Sequence, residues 1–88
     1  MLEYKDIEGY SVYCLQDDST KPVHFHVRGE ARGTDARVIM LKDGSTIVES
    51  HGSVPERVLS EICKYMELGY NEFLQFWRNK FYLMRFVG

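Results

Sequence analysis

His24 and His26 stand two positions apart in the run Val23-His24-Phe25-His26-Val27-Arg28, where apolar and polar residues alternate. Alternation of period two marks a β-strand, so both imidazoles leave it on one side, about 7 Å apart by strand geometry. Two rings so placed can chelate a transition metal or divide acid–base work between them. A catalytic metal site usually needs a third protein ligand, which His51, Asp17 or Asp18 would supply only if the fold brought it close. The spacing guarantees no such approach, so no metal ion and no cofactor is assigned from it. Two other readings stand beside the metal: a surface for a ligand or partner, and a structural role in which the rings stack on Tyr13. The residues singled out for binding are Tyr13, His24, His26, Arg28 and Arg37.

The same set supplies the parts of a small histidine- or metal-dependent nuclease, with histidine as acid and base and arginine stabilising developing charge. It equally suits a plain phosphate-binding surface. Glycine-rich phosphate loops, nucleophile elbows and paired-carboxylate signatures are missing from the sequence, which leaves mainstream hydrolase and nucleotide-binding mechanisms without support. The balance favours a non-enzymatic role.

The elements that must position these residues follow from periodicity. Gly9 to Leu15 reads as a first strand, ended by the turn-forming run from Asp17 to Pro22. Val23 to Arg28 is the second, Ala36 to Lys42 the third and Ser45 to Glu49 the fourth, with a loop from Gly29 to Asp35. Asp43-Gly44 between apolar runs predicts a two-residue type I′ hairpin. Ser53-Val54-Pro55-Glu56 has capping-box spacing and opens a helix over about 54–68, stopped by a left-handed Gly69. Asn71 caps a second helix over about 72–84 whose apolar stripe is Phe73, Leu74, Trp77 and Phe81. Phe76, beside Lys80, falls off that stripe and is an exposed aromatic suited to a partner. The expectation is an α+β domain spanning 1–88: a three- to four-stranded antiparallel sheet over about 9–50, followed by two C-terminal helices packed on one face.

Strand parity then assigns faces. Cys14 should pair near Phe25, and Val12 near Val27, on the helix side. Tyr13, His24, His26 and Arg28 take the other side. Val38 to Leu41 is apolar in both directions, so either the histidine face meets a partner, a second copy or a folded-over terminal segment, or Tyr13, Tyr10 and the Arg28 and Arg37 stems shield it.

Composition bounds the rest. A chain of 88 residues with 44% hydrophobic and 27% charged residues holds one core and no second domain. Cys14 and Cys63 lack metal or redox spacing and read as reduced, buried thiols. The acidic start does not suit a signal peptide, and no apolar run is long enough for a membrane span, so the expected location is the cytoplasm. The net charge of −2 gives only weak support to nucleic-acid binding. It is divided unevenly: an acidic first twenty residues precede a basic stretch carrying Lys21, Arg28, Arg32 and Arg37.

Pro22 ahead of His24-Phe25-His26-Val27, an alanine-led strand at Ala36, a helix near Pro55 and a final helix with Trp77 together resemble the small bacterial family called domain of unknown function 4160. The similarity spans roughly residues 9 to 82, and Pro22, His24, His26 and Trp77 match its positions. Lys21 stands where the family usually has a first proline. Members often sit in gene pairs described as toxin–antitoxin modules, so the resemblance implies interaction more than reaction. The expected function is a protein-binding module in a toxin–antitoxin-like or host-interaction system, with a protein partner and a homodimer through the second sheet face as candidate assemblies. A phage-encoded inhibitor of a host defence protein, or a ligand-sequestering protein, is the further alternative.

Overall fold

A computed structural model describes residues 2–29 and 32–87. Its strands are β1 (Leu2–Ile7), β2 (Tyr10–Cys14), β3 (His24–Val27), β4 (Ala36–Met40) and β5 (Thr46–Ser50), followed by helices α1 (Glu56–Leu68) and α2 (Tyr70–Phe81). A 3-10 turn, Gln16–Thr20, lies between β2 and β3. All neighbouring strands are antiparallel, and the sheet order is the chain order.

The α+β class, the antiparallel sheet and the two closing helices agree with the sequence reading, but the sheet has five strands where three to four were expected. The additional one is β1. Glu3, Lys5 and Asp6 hide its alternation, and a register irregularity between Glu3 and Lys5 breaks the period again. The connection to β2 is tight because Glu8 and Gly9 both have positive φ, 55° and 80°, as a primed hairpin turn needs. Tyr4 reaches the core side at the irregularity, with its ring 4.8 Å from Phe73 and 4.5 Å from Phe76. The half-buried Phe76 is therefore covered by the strand that the sequence concealed.

Register across β2 and β3 is the expected one, with Val12 opposite Val27 and Tyr13 opposite His26. Val12, Cys14, Phe25, Val27, Ala36, Val38 and Met40 fill the helix side of the sheet. Against them pack Leu59, Ile62 and Met66 of α1 and Phe73 and Trp77 of α2, all buried. The rings of Phe25 and Phe73 meet edge to face at 5.2 Å.

Five local expectations are corrected. The β4–β5 hairpin turns through three residues: Leu41 N–H donates to Ser45 O, and of Lys42, Asp43 and Gly44 only Gly44 has positive φ. Asp43 holds this turn with its side chain, accepting from the Ser45 amide and hydroxyl at 3.0 and 2.6 Å. Ser53 caps nothing. Its hydroxyl and amide both donate to Thr34 O, and α1 begins at Glu56 behind Pro55. Gly69, at φ −101° and ψ 29°, is not left-handed, and α2 follows it directly from Tyr70, so Asn71 lies inside the helix. The second helix ends at Phe81, short of 84, because Tyr82 adopts φ 68°. Within the expected loop from Gly29 to Asp35, Glu30 and Ala31 lie outside the described residues, as do Met1 and Gly88. Among the described residues, no helix is long and apolar enough to cross a membrane.

Candidate functional site

The site begins with β3 parity. With Phe25 and Val27 turned to the helices, His24 and His26 face the other way, opposite Ile39 and Arg37 of β4. That face is not open at the histidines. The 3-10 turn closes over them, leaving His24 3% and His26 7% exposed. The turn is shaped by Asp18: its amide donates to Leu15 O at 3.0 Å, while its Oδ2 accepts the Leu15 amide at 2.7 Å. This reciprocal pair points a fully buried carboxylate at the imidazoles.

Three side chains consequently converge. Asp18 Oδ2 is 3.0 Å from His26 Nε2, and Asp18 Oδ1 is 3.2 Å from His24 Nε2. The two imidazole rings are 5.0 Å apart. His24 Nδ1 lies 2.8 Å from Pro22 O. A carbonyl only accepts, so Nδ1 donates to it, which leaves Nε2 as the ring nitrogen that can offer a lone pair. Although close, Asp18 Oδ1 and His24 Nε2 are misaligned for a hydrogen bond, and both are buried without a hydrogen-bond partner among the described residues. Burial is the chief reason that the pKa of His26 falls below its ordinary value; Asp18 opposes the shift, and His24 and Arg37 reinforce it. The neutral ring is the form able to ligate a metal.

Around this centre the other candidate residues separate. Tyr13 stacks on His26 at 5.1 Å and donates its hydroxyl proton to Asp35 Oδ2. Burial, then the Asp35 hydrogen bond, pushes its phenol up to about 12. Arg28 lies over the outer side of that assembly, its guanidinium carbon 5.5 Å from the Tyr13 ring centre and its Nη2 3.8 Å from Glu3 Oε1. Arg37, opposite His26, pairs with Glu49 of β5 at 2.8 Å. Tyr13, His24 and His26 are thus in ring contact, whereas the two arginines sit at the half-exposed margin. His51 and Asp17 are exposed and away from the cluster, so Asp18 alone of the three suggested ligands joins it.

Sequence reasoning missed Asp35, which ties the Tyr13 hydroxyl to the Gly29 amide. The chain beyond α2 is the folded-over terminal segment that the sequence reading held among its alternatives. Trp77 Nε1 donates to Leu83 O at 2.9 Å, and the Val23 amide donates to Arg85 O at 2.8 Å. This terminal segment folds over the start of β3. Val87 then lines a small pocket with Lys21, Pro22, His24, Arg37, Ile39 and Glu49. Part of the apolar second face is therefore covered from within the chain, one of the three coverings that the pattern in β4 called for.

A model of the family described as Domain of unknown function (DUF4160) matches residues 9–78, and the chain belongs to that family. No curated protein and no solved structure matches.

Proposed function

We propose that this protein is a non-catalytic binding module of the cytoplasm that takes up an extended segment of a partner protein along the open edge of its sheet, strand β5. The contrast between the two sheet edges carries the reading. Both edge strands carry a register irregularity, but β1 is also guarded by three charged residues, Glu3, Lys5 and Asp6, which discourage strand addition. β5 carries a single charge, Glu49, already paired with Arg37. Its Ile47 and Val48 are 46% and 39% exposed. Successive side chains of a strand take opposite faces, so an added strand with alternating apolar side chains would meet one residue on each. Its main-chain groups would continue the ladder beyond Thr46, whose amide and hydroxyl already donate to Glu67 of α1.

The buried cluster supports a non-catalytic reading as well. Imidazoles turned toward Asp18 beneath the 3-10 turn do not offer themselves to a phosphodiester, so the nuclease alternative loses its acid and base. A strand-accepting module suits one half of a toxin–antitoxin-like pair, the setting that the family resemblance implies.

A random-peptide display selection tests the proposal. The wild-type chain should enrich extended sequences with apolar residues at alternate positions, and a variant with Ile47→Lys and Val48→Lys should lose them while its circular dichroism stays unchanged. Enrichment that survives in the variant, or no enrichment of alternating sequences by the wild type, overturns it.

A further inference from the structure

We propose that Asp18, His24 and His26 form a binding site for a divalent transition metal ion of the zinc class. The inference is independent of strand addition at β5.

One ligand atom from each residue lies within 4.8 Å of the others. Two ligands held about 2.1 Å from a tetrahedral ion are separated by about 3.4 Å. The contacts of Asp18 with His24 at 3.2 Å and with His26 at 3.0 Å are close to that separation. The misalignment of His24 Nε2 and Asp18 Oδ1 has the same explanation. Atoms sharing an ion point their lone pairs at the ion and not at each other, whereas a shared proton demands that they align. Without an ion, two buried polar atoms are left unpaired, at a cost that native proteins seldom accept.

The surrounding contacts are those that orient metal ligands. Pro22 O holds the His24 Nδ1 proton and so fixes the tautomer that ligates through Nε2. The Leu15 amide holds the Asp18 carboxylate. His26 Nε2 hydrogen-bonds Asp18 in the metal-free state; on ligation the neutral ring takes its other tautomer, giving up its Nε2 proton and taking one from solvent at Nδ1. Two nitrogens and one oxygen form a borderline donor set, suited to zinc and its neighbours and poorly to calcium or magnesium. The low exposure of all three residues leaves no room for a macromolecular substrate, so the ion acts as a clasp between the 3-10 turn and β3. The pocket lined by His24 is the route for its entry and for a fourth, water ligand.

Zn2+ titrated calorimetrically into the chelator-dialysed full chain tests this directly. One equivalent should bind, and Asp18→Asn and His24→Ala should each weaken binding at least about tenfold, the usual scale for losing an interaction at a metal centre. His51→Ala and Asp17→Asn should leave affinity unchanged. No binding up to about millimolar Zn2+, the weak end of protein metal sites, overturns the proposal. So does affinity that survives in His24→Ala or falls equally in His51→Ala. Should the cluster variants fail to fold, wild-type NMR decides: Zn2+ must shift the ring signals of His24 and His26 and spare His51, and the reverse pattern refutes the site.

Discussion

The indole N–H of Trp77 donates to the carbonyl of Leu83 across 2.9 Å, tying a buried side chain of α2 to the segment that follows it. The Trp77 ring also lies 5.6 Å from His24 and 6.2 Å from Phe25, so one side chain meets the last helix, the terminal segment and both faces of β3. Trp77→Phe should remove the hydrogen bond and leave a void, costing about 2 kcal/mol in urea unfolding. Hydrogen exchange at the Val23 amide, which donates to Arg85 O, should accelerate in step as the segment loosens.

Asp18 holds the 3-10 turn through the Leu15 amide and touches both histidines. Asp18→Ala removes the acceptor of the part-buried Leu15 N–H and the partner of the buried His26 Nε2, and should destabilise the metal-free protein by roughly 3 kcal/mol. Asp18→Asn keeps an acceptor for Leu15 and should cost less than half as much. Parallel denaturant titrations compare the two; equal losses would mean that the carboxylate's acceptor role at Leu15 is unimportant.

The two edge strands should respond oppositely to truncation. Tyr4→Ala removes a ring packed on Phe25, Phe73 and Phe76, and should cost about 2–3 kcal/mol. Ile47→Ala removes an exposed side chain and should stay within about 0.5 kcal/mol of wild type. Thermal or chemical melts of the two variants check the contrast.

Tyr70 gives a pH dependence. Its hydroxyl donates to Leu41 O at 2.6 Å, and burial raises its pKa above the ordinary 10.0. A raised folded value means that the folded chain holds this proton more tightly than the unfolded chain. The stabilisation is therefore full below about pH 10 and disappears as pH rises through the folded pKa. The stability gap between wild type and Tyr70→Phe should be constant from neutral pH to about 10 and close above it.

The two thiols should label in a fixed order. Cys63 is half-buried and its thiol is shifted upward mainly by burial; Cys14 is fully buried, and burial pushes its thiol up much further. A thiol reagent at mildly alkaline pH should modify Cys63 slowly and reach Cys14 only at the rate of global unfolding. Simultaneous labelling would show that β2 opens locally.

Much of the sheet was legible because alternation reports burial. Val12 opposite Val27, and the separation of Phe25 from His24 and His26, follow from side-chain parity alone. β1 was not legible: its Lys5 lies along the Tyr4 ring, 4.8 Å from its centre, so a charged residue occupies a position that alternation assigns to the core. The histidine pair was visible, but its environment was not. Asp18 reaches it through a 3-10 turn, and neither a turn's direction nor a carboxylate's buried aim leaves a periodic trace. Ser53 misled for a related reason: capping-box spacing describes a local preference, and the carbonyl of Thr34, distant in sequence, competes for the same hydroxyl.

Because the sheet order repeats the chain order, every strand finds its partners next to itself in sequence. Closing each hairpin costs little loop entropy, and each finished pair templates the next, so the sheet can zip forward from its first turn. The longest searches are left to the helices and the terminal segment. Assembly should be fast and end with the segment beyond α2 locking down, which makes that latch the first part to open when the native state breathes.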